Sequence, residues 1–130
     1  MEVDGSMERK AIAGGRFEGV VTPPLAPWIR VAGVVGLVAV AAAYLWLGGT
    51  WWVGLALLLA PDLAFIGFAF GPRPGVAAYN AVHRPVVPAV LLVVALVLGS
   101  QPAALLMLIW LAHIAMDRAA GYGLKRAPQA

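Results

Sequence analysis

The chain has 130 residues, of which 62% are hydrophobic and 12% charged, and its mean hydropathy is +0.89. Such values lie far outside the range of a water-soluble domain and point to an integral membrane protein. The absence of cysteine excludes disulfides and thiolate metal sites. No nucleic-acid-binding motif accompanies the net charge of +3, so no nucleic-acid partner is expected.

Residues 1–27 are rich in Gly and Pro with mixed charge and read as a flexible, poorly ordered cytoplasmic tail. The first apolar run exceeds an ordinary signal-peptide core and leads into a second run, which argues for a retained anchor, with Met7 as an alternative start. About 20 apolar residues cross a hydrocarbon core of roughly 30 Å. On that measure residues 28–125 form a four-helix transmembrane domain with spans near 28–47, 50–70, 75–98 and 102–120, followed by a short C-terminal tail, 126–130. The third span is long enough only if it begins near Gly75 and passes through a bend at Pro85. Pro102 suits the first turn of the fourth, and Gly121 and Gly123 end it.

All nine basic residues precede span one, lie in or beside the middle connection, or follow span four. The connections at 48–50 and 99–102 carry none, so they point outward and both termini are cytoplasmic. The fold expected is an all-α polytopic bundle of two hairpins in the cell membrane, its lipid-facing sides partnered by the bilayer.

Between Val31 and Met116 the only formal charges are Asp62, Arg73 and Arg84, joined by the titratable His83 and His113. At 1.5 Å per residue, Asp62 lies about 18 Å below Thr50, His113 about 16 Å below Pro102, and Asp117 and His83 about 22 Å deep. Four polar side chains from three helices thus fall in one layer of the cytoplasmic half, and Asp62 and His113 are expected within about 6 Å of one another. His113 and Asp117 share a helix face, as do Asn80 and His83. Pro61 cannot donate to the carbonyl of Leu57, which leaves backbone polarity beside the acid. A plainer alternative pairs Asp62 with Arg73 or Arg84 and sets His113, Asp117 and Arg118 at the interface, with Arg118 reaching the head groups. Trp28, Trp46, Trp51, Trp52, Tyr79 and Tyr122 mostly sit near interfaces, where an aromatic belt accounts for them.

Neutral imidazoles and carboxylates together suit zinc, manganese or iron, and such a metal can activate water for hydrolysis. The candidate metal ligands are Asp62, His83, His113 and Asp117, with Asp62, His113 and Asp117 as candidate catalytic groups. Asn80, His83, Arg84, Arg118 and Tyr122 are candidate binding residues. There is no phosphate-cradling glycine loop and no Gly-x-Ser-x-Gly elbow, and Ser6 and Ser100 are badly placed for a serine hydrolase.

The stretches "PDLAFIGF", "GPRPGVAAYNAVHRPVVPA" and "LIWLAHIAMDRAAGYGLK" resemble a family of small bacterial integral-membrane proteins known as domain of unknown function 4260. The resemblance runs from Trp28 to Lys125 and implies a four-helix membrane protein without supplying an activity. The Asp62 acid followed by His83-Arg84 is also similar to membrane-bound metal-dependent hydrolases of a phage-type inner-membrane family, with Pro85-Val86 where that family carries Thr-His. The spacing from His113 to Asp117 is similar to the last motif of lipid phosphatases, whose Lys-Arg and Ser-Gly-His motifs are missing here. Two functions follow as expectations. One is a metal-dependent hydrolase at the cytoplasmic leaflet. The other is a non-enzymatic bundle whose polar layer fixes helix packing or carries protons or small ligands, and which would need to form homo-oligomers to transport anything.

Overall fold

Pro27 opens helix α1 (Pro27–Trp46), where its missing N–H and fixed φ suit the first turn. In the computed structural model, which describes residues 17–128, the helix ends at Gly48, whose φ of +89° returns the N–H groups of Gly48 and Gly49 to the carbonyls of Leu45 and Tyr44. Helix α2 (Trp51–Leu57) follows, and from Ala60 to Phe70 the chain winds as a 3₁₀ segment, η1. The second span expected from the sequence is therefore composite: the change of winding falls at Pro61, which has no N–H to keep the α-helical ladder. At Gly71, with φ +116°, the chain reverses into α3 (Pro72–His83). That helix breaks at Arg84-Pro85 and continues, bent by 40°, as α4 (Val86–Val97). A turn through Gly99 leads to α5 (Gln101–Ala120).

Small residues decide which helices touch. The long helices α1 and α5 lie antiparallel: Gly33 sits on the backbone of Ala115 and Ala119, Tyr44 packs with Leu108 and Ile109, and Gln101 donates to the Leu47 carbonyl at 2.6 Å. Close backbone approach of this kind is how helices associate where no hydrophobic force separates lipid from protein. The segment η1 packs on α3 with Gly67 against Ala78 and Gly75 against the ring of Phe68. Helix α4 lies along the first half of α5, with Ala95 and Ala104 both buried.

Two small cores result, one around Tyr44, Leu108 and Ile109 and the other around Phe68, Val76 and Tyr79. The exterior is apolar, with Trp28, Val35, Leu63, Val97 and Leu98 more than half exposed. A surface of that kind is suited to lipid rather than water. Helix α1, the composite Trp51–Phe70 and α5 are each long and apolar enough to cross a membrane, and the bent pair α3–α4 makes a fourth if it counts as one span.

The tight turns after α1 and α4 meet at one end of the bundle, and the start of α1 meets the end of α5 at the other. The poorly ordered tail expected over residues 1–27 falls partly on residues 1–16, which lie outside the described residues. From Phe17 onward the chain is laid on the bundle. The ring of Phe17 stacks on Phe68 at 4.6 Å, and Val21 pairs with Arg126 through two backbone hydrogen bonds. Arg126, read from the sequence as part of a tail, is thereby held in place.

Candidate metal centre

Two prolines prepare the site. In a 3₁₀ turn the carbonyl of Leu58 would accept from residue 61, but Pro61 has no N–H, and the N–H of Asp62 goes instead to Leu59 at 3.0 Å. The Leu58 carbonyl is taken by Nδ1 of His113, at 2.7 Å. The exposed polarity expected at Leu57 is thus filled one residue later, because the tighter winding moves it. The helix break at Arg84-Pro85 ends α3 before the carbonyl of Val82 meets a helical donor, and the indole N–H of Trp110 donates to it at 2.6 Å. Trp110 and His113, three apart on one face of α5, each satisfy a carbonyl left open at a proline break in the chain.

The hydrogen bond to Leu58 assigns the tautomer of His113. A carbonyl only accepts, so Nδ1 carries the proton and the Nε2 lone pair faces the interior of the bundle. His83 is fixed likewise, its Nδ1 donating to the Tyr79 carbonyl at 2.8 Å. The two Nε2 atoms lie 3.1 Å apart. Around them stand two carboxylates. Oδ1 of Asp62 is 3.1 Å from His113 and 3.7 Å from His83, and Oδ2 of Asp117 is 3.2 Å and 3.3 Å from the same two nitrogens. All four ligand atoms lie within 4.8 Å of one another. The separation expected of Asp62 and His113, about 6 Å or less, is met.

Four acceptors now face a common point with no donor between them, and buried acceptors left so are costly. Positive charge is required there, as a metal cation or as protons on the imidazoles. Ligands bound at 2.0–2.1 Å in a tetrahedron lie about 3.3 Å apart, in the middle of the distances found. The second nitrogen of each imidazole donates to a backbone carbonyl, the usual outer support of a metal-bound histidine. The side chains of His113, His83, Asp117 and Asp62 are 0%, 3%, 17% and 41% exposed, so the centre is closed on three sides and open at Asp62.

Tyr79 is no belt residue: it is buried, and its ring stacks on that of His83 at 3.8 Å and 10°. Over Tyr79, 4.5 Å from the ring centre, stands the ammonium of Lys125, which also donates to Thr22 at 2.9 Å. Burial holds the Lys125 pKa below the ordinary lysine value, against the opposing pull of the Asp117 charge. Asn80 anchors this segment by exchanging two hydrogen bonds with the Lys125 backbone, at 2.7 and 2.8 Å. Asn80 therefore meets the chain itself. Helix α5 ends one turn beyond Asp117, where Gly121 takes φ +98° and the N–H of Tyr122 returns to the Asp117 carbonyl at 2.7 Å.

Arg84 lies exposed at the break between α3 and α4, Tyr122 is exposed, and Arg118 is half-buried. None of the three belongs to the four-residue cluster. Among the described residues neither carboxylate pairs with Arg73 or Arg84, and both stand against the two histidines instead. Sequence reasoning missed Trp110 and Lys125. Trp110 carries a signal in hindsight, lying three residues before His113 on a chain with two mid-span prolines, whereas Lys125 carries none.

The family described as "Domain of unknown function (DUF4260)" matches residues 26–129. The chain belongs to this family. The match takes in every element from α1 to α5 and all four residues of the DUF4260 chain's polar cluster. Searches of the curated proteins and of the solved structures return no match.

Proposed function

We propose that this protein is a multi-pass membrane protein that binds one divalent cation at Asp62, His83, His113 and Asp117, and that the centre serves metal-dependent hydrolysis at the cytoplasmic leaflet. The observation that carries the reading is the pair of Nε2 atoms 3.1 Å apart, each with its other nitrogen committed to a carbonyl. In this reading the bent α3–α4 pair crosses as one span, giving four. The basic residues Arg30, Lys125 and Arg126 mark the cytoplasmic end, where both termini lie. The bilayer is the partner of the exposed apolar faces, and no nucleic acid is involved. Zinc fits the four short separations best, with manganese as the harder alternative.

A second reading draws on the same 3.1 Å contact. A proton shared between the imidazoles would also supply the missing charge, making the cluster a proton-holding layer that fixes packing.

Metal content separates the two. Protein purified without chelator is expected to hold about one equivalent of zinc or manganese per chain, and chelation is expected to lower its melting temperature. A cation present at 100 times its dissociation constant contributes about 2.7 kcal/mol to stability. Metal-free protein that melts identically with and without added zinc would leave the proton-holding reading. Topology is tested separately with reporter fusions: those at Gly49 and Ser100 should read as external, and those at Gly75 and the C-terminus as cytoplasmic. A cytoplasmic signal at Ser100 would overturn the four-span arrangement.

A further inference from the structure

The four ligands do not stand alike. His83, His113 and Asp117 come from regular helices, the two imidazoles buried and Asp117 17% exposed, whereas Asp62 rides on the 3₁₀ segment with its side chain 41% exposed. Its oxygen is also the least centred, 3.1 Å from one imidazole and 3.7 Å from the other, where Asp117 is nearly equidistant. Catalytic zinc sites generally keep three protein ligands and leave the fourth position to water or substrate.

Charge indicates what would take that position. Two neutral imidazoles, two carboxylates and a divalent cation sum to zero. Displacing Asp62 leaves the metal and its three ligands with one net positive charge. Lys125 adds another, placed over the ring that stacks on His83. Its ammonium keeps donors to spare beyond the bond to Thr22.

We propose that Asp62 is the exchangeable ligand of the centre, and that an oxyanion, a phosphate group above all, replaces it on the metal with Lys125 supplying the charge that favours an anion. This rests on the metal reading given above. The phosphate can belong to a lipid head group or to a small soluble molecule, and the test separates these sources.

The protein is loaded with cobalt(II) in phosphatidylcholine nanodiscs, and its visible spectrum is followed. One arm adds inorganic phosphate, and the other incorporates phosphatidic acid. The expected result is a saturable change in the cobalt bands in at least one arm, the responding arm naming the source. Asp62→Asn should still bind one cobalt per chain and respond at lower phosphate. Lys125→Gln should keep its cobalt but need about threefold more phosphate, the effect of removing one partly screened charge. Cobalt bands that ignore both anions in a fully loaded protein would overturn the proposal while leaving the metal centre standing, and so would loss of all cobalt in Asp62→Asn. Failure of the unaltered protein to bind cobalt would overturn both.

Discussion

Protein carrying His113→Ala is expected to lose its metal and also to be less stable than the original chain when both are metal-free. The imidazole is fully buried, so its removal leaves a cavity beside two carboxylates. It also abandons the Leu58 carbonyl, which has no backbone donor of its own at the Pro61 break. A cavity and an unsatisfied buried acceptor together cost roughly 2 to 4 kcal/mol. His83→Ala provides the contrast. It removes an equivalent ligand, but Nδ1 of His83 donates to Tyr79, whose carbonyl lies inside α3 and keeps its place in the helix. Both variants should come through gel filtration without metal, and in chelator both should melt below the original chain for the cavity each leaves, His113→Ala lower than His83→Ala by the cost of the open carbonyl. Wild-type metal content in His113→Ala would remove this residue from the centre.

The largest effect on assembly is expected at Gly33, which is itself no ligand. A Cβ there would lie 2.6 Å from the backbone nitrogen of Ala119 and 2.9 Å from the carbonyl oxygen of Ala115. These are backbone atoms of a long helix and have no rotamer by which to retreat. Gly33→Val should force α1 away from α5 and destabilise the bundle by about 3 kcal/mol or more, the upper end of the range for overpacking. Gly36 lies one turn further on, where a Cβ would meet only the Ala115 methyl at 3.8 Å. Gly36→Ala should therefore leave the melting temperature in detergent unchanged or raise it slightly, since alanine favours the helix. Equal melting of the two variants would show that α1 and α5 are not in backbone contact.

Much of this architecture is legible in the sequence because hydrophobic length and the scarcity of charge act at long range. Twenty-residue apolar runs bounded by Gly-Gly and Gly-Ser fix where helices begin and end, and the bend at Pro85 follows from a third run too short to cross alone. Depth counted in residues is enough to set Asp62, His83, His113 and Asp117 at one level. What was not legible depends on local winding and on contacts across the chain. The 3₁₀ course of η1 shifts the open carbonyl from Leu57 to Leu58, a displacement that no hydropathy pattern records. The close approach of α1 to α5 runs through Gly33, although Ala120 and Gly121 look equally small in sequence. Lys125 reaches Tyr79 only because Gly121 turns the last segment back and Asn80 fastens it, so a residue read as a cytoplasmic flank stands beside the site.

The paired prolines also constrain how the molecule is made. Segment η1 with its approach, and helix α3, each hold one carbonyl that their own backbone does not satisfy, and an unpaired group in hydrocarbon costs several kcal/mol. The two donors that relieve them, Trp110 and His113, both sit on α5, which follows the two segments in the chain. Without α5 those two carbonyls stay open, so η1 and α3 reach their final energy only once α5 has packed on them. The same coupling ties each break to its donor: loss of Pro61 relaxes the demand on His113, and loss of the break at Pro85 relaxes the demand on Trp110.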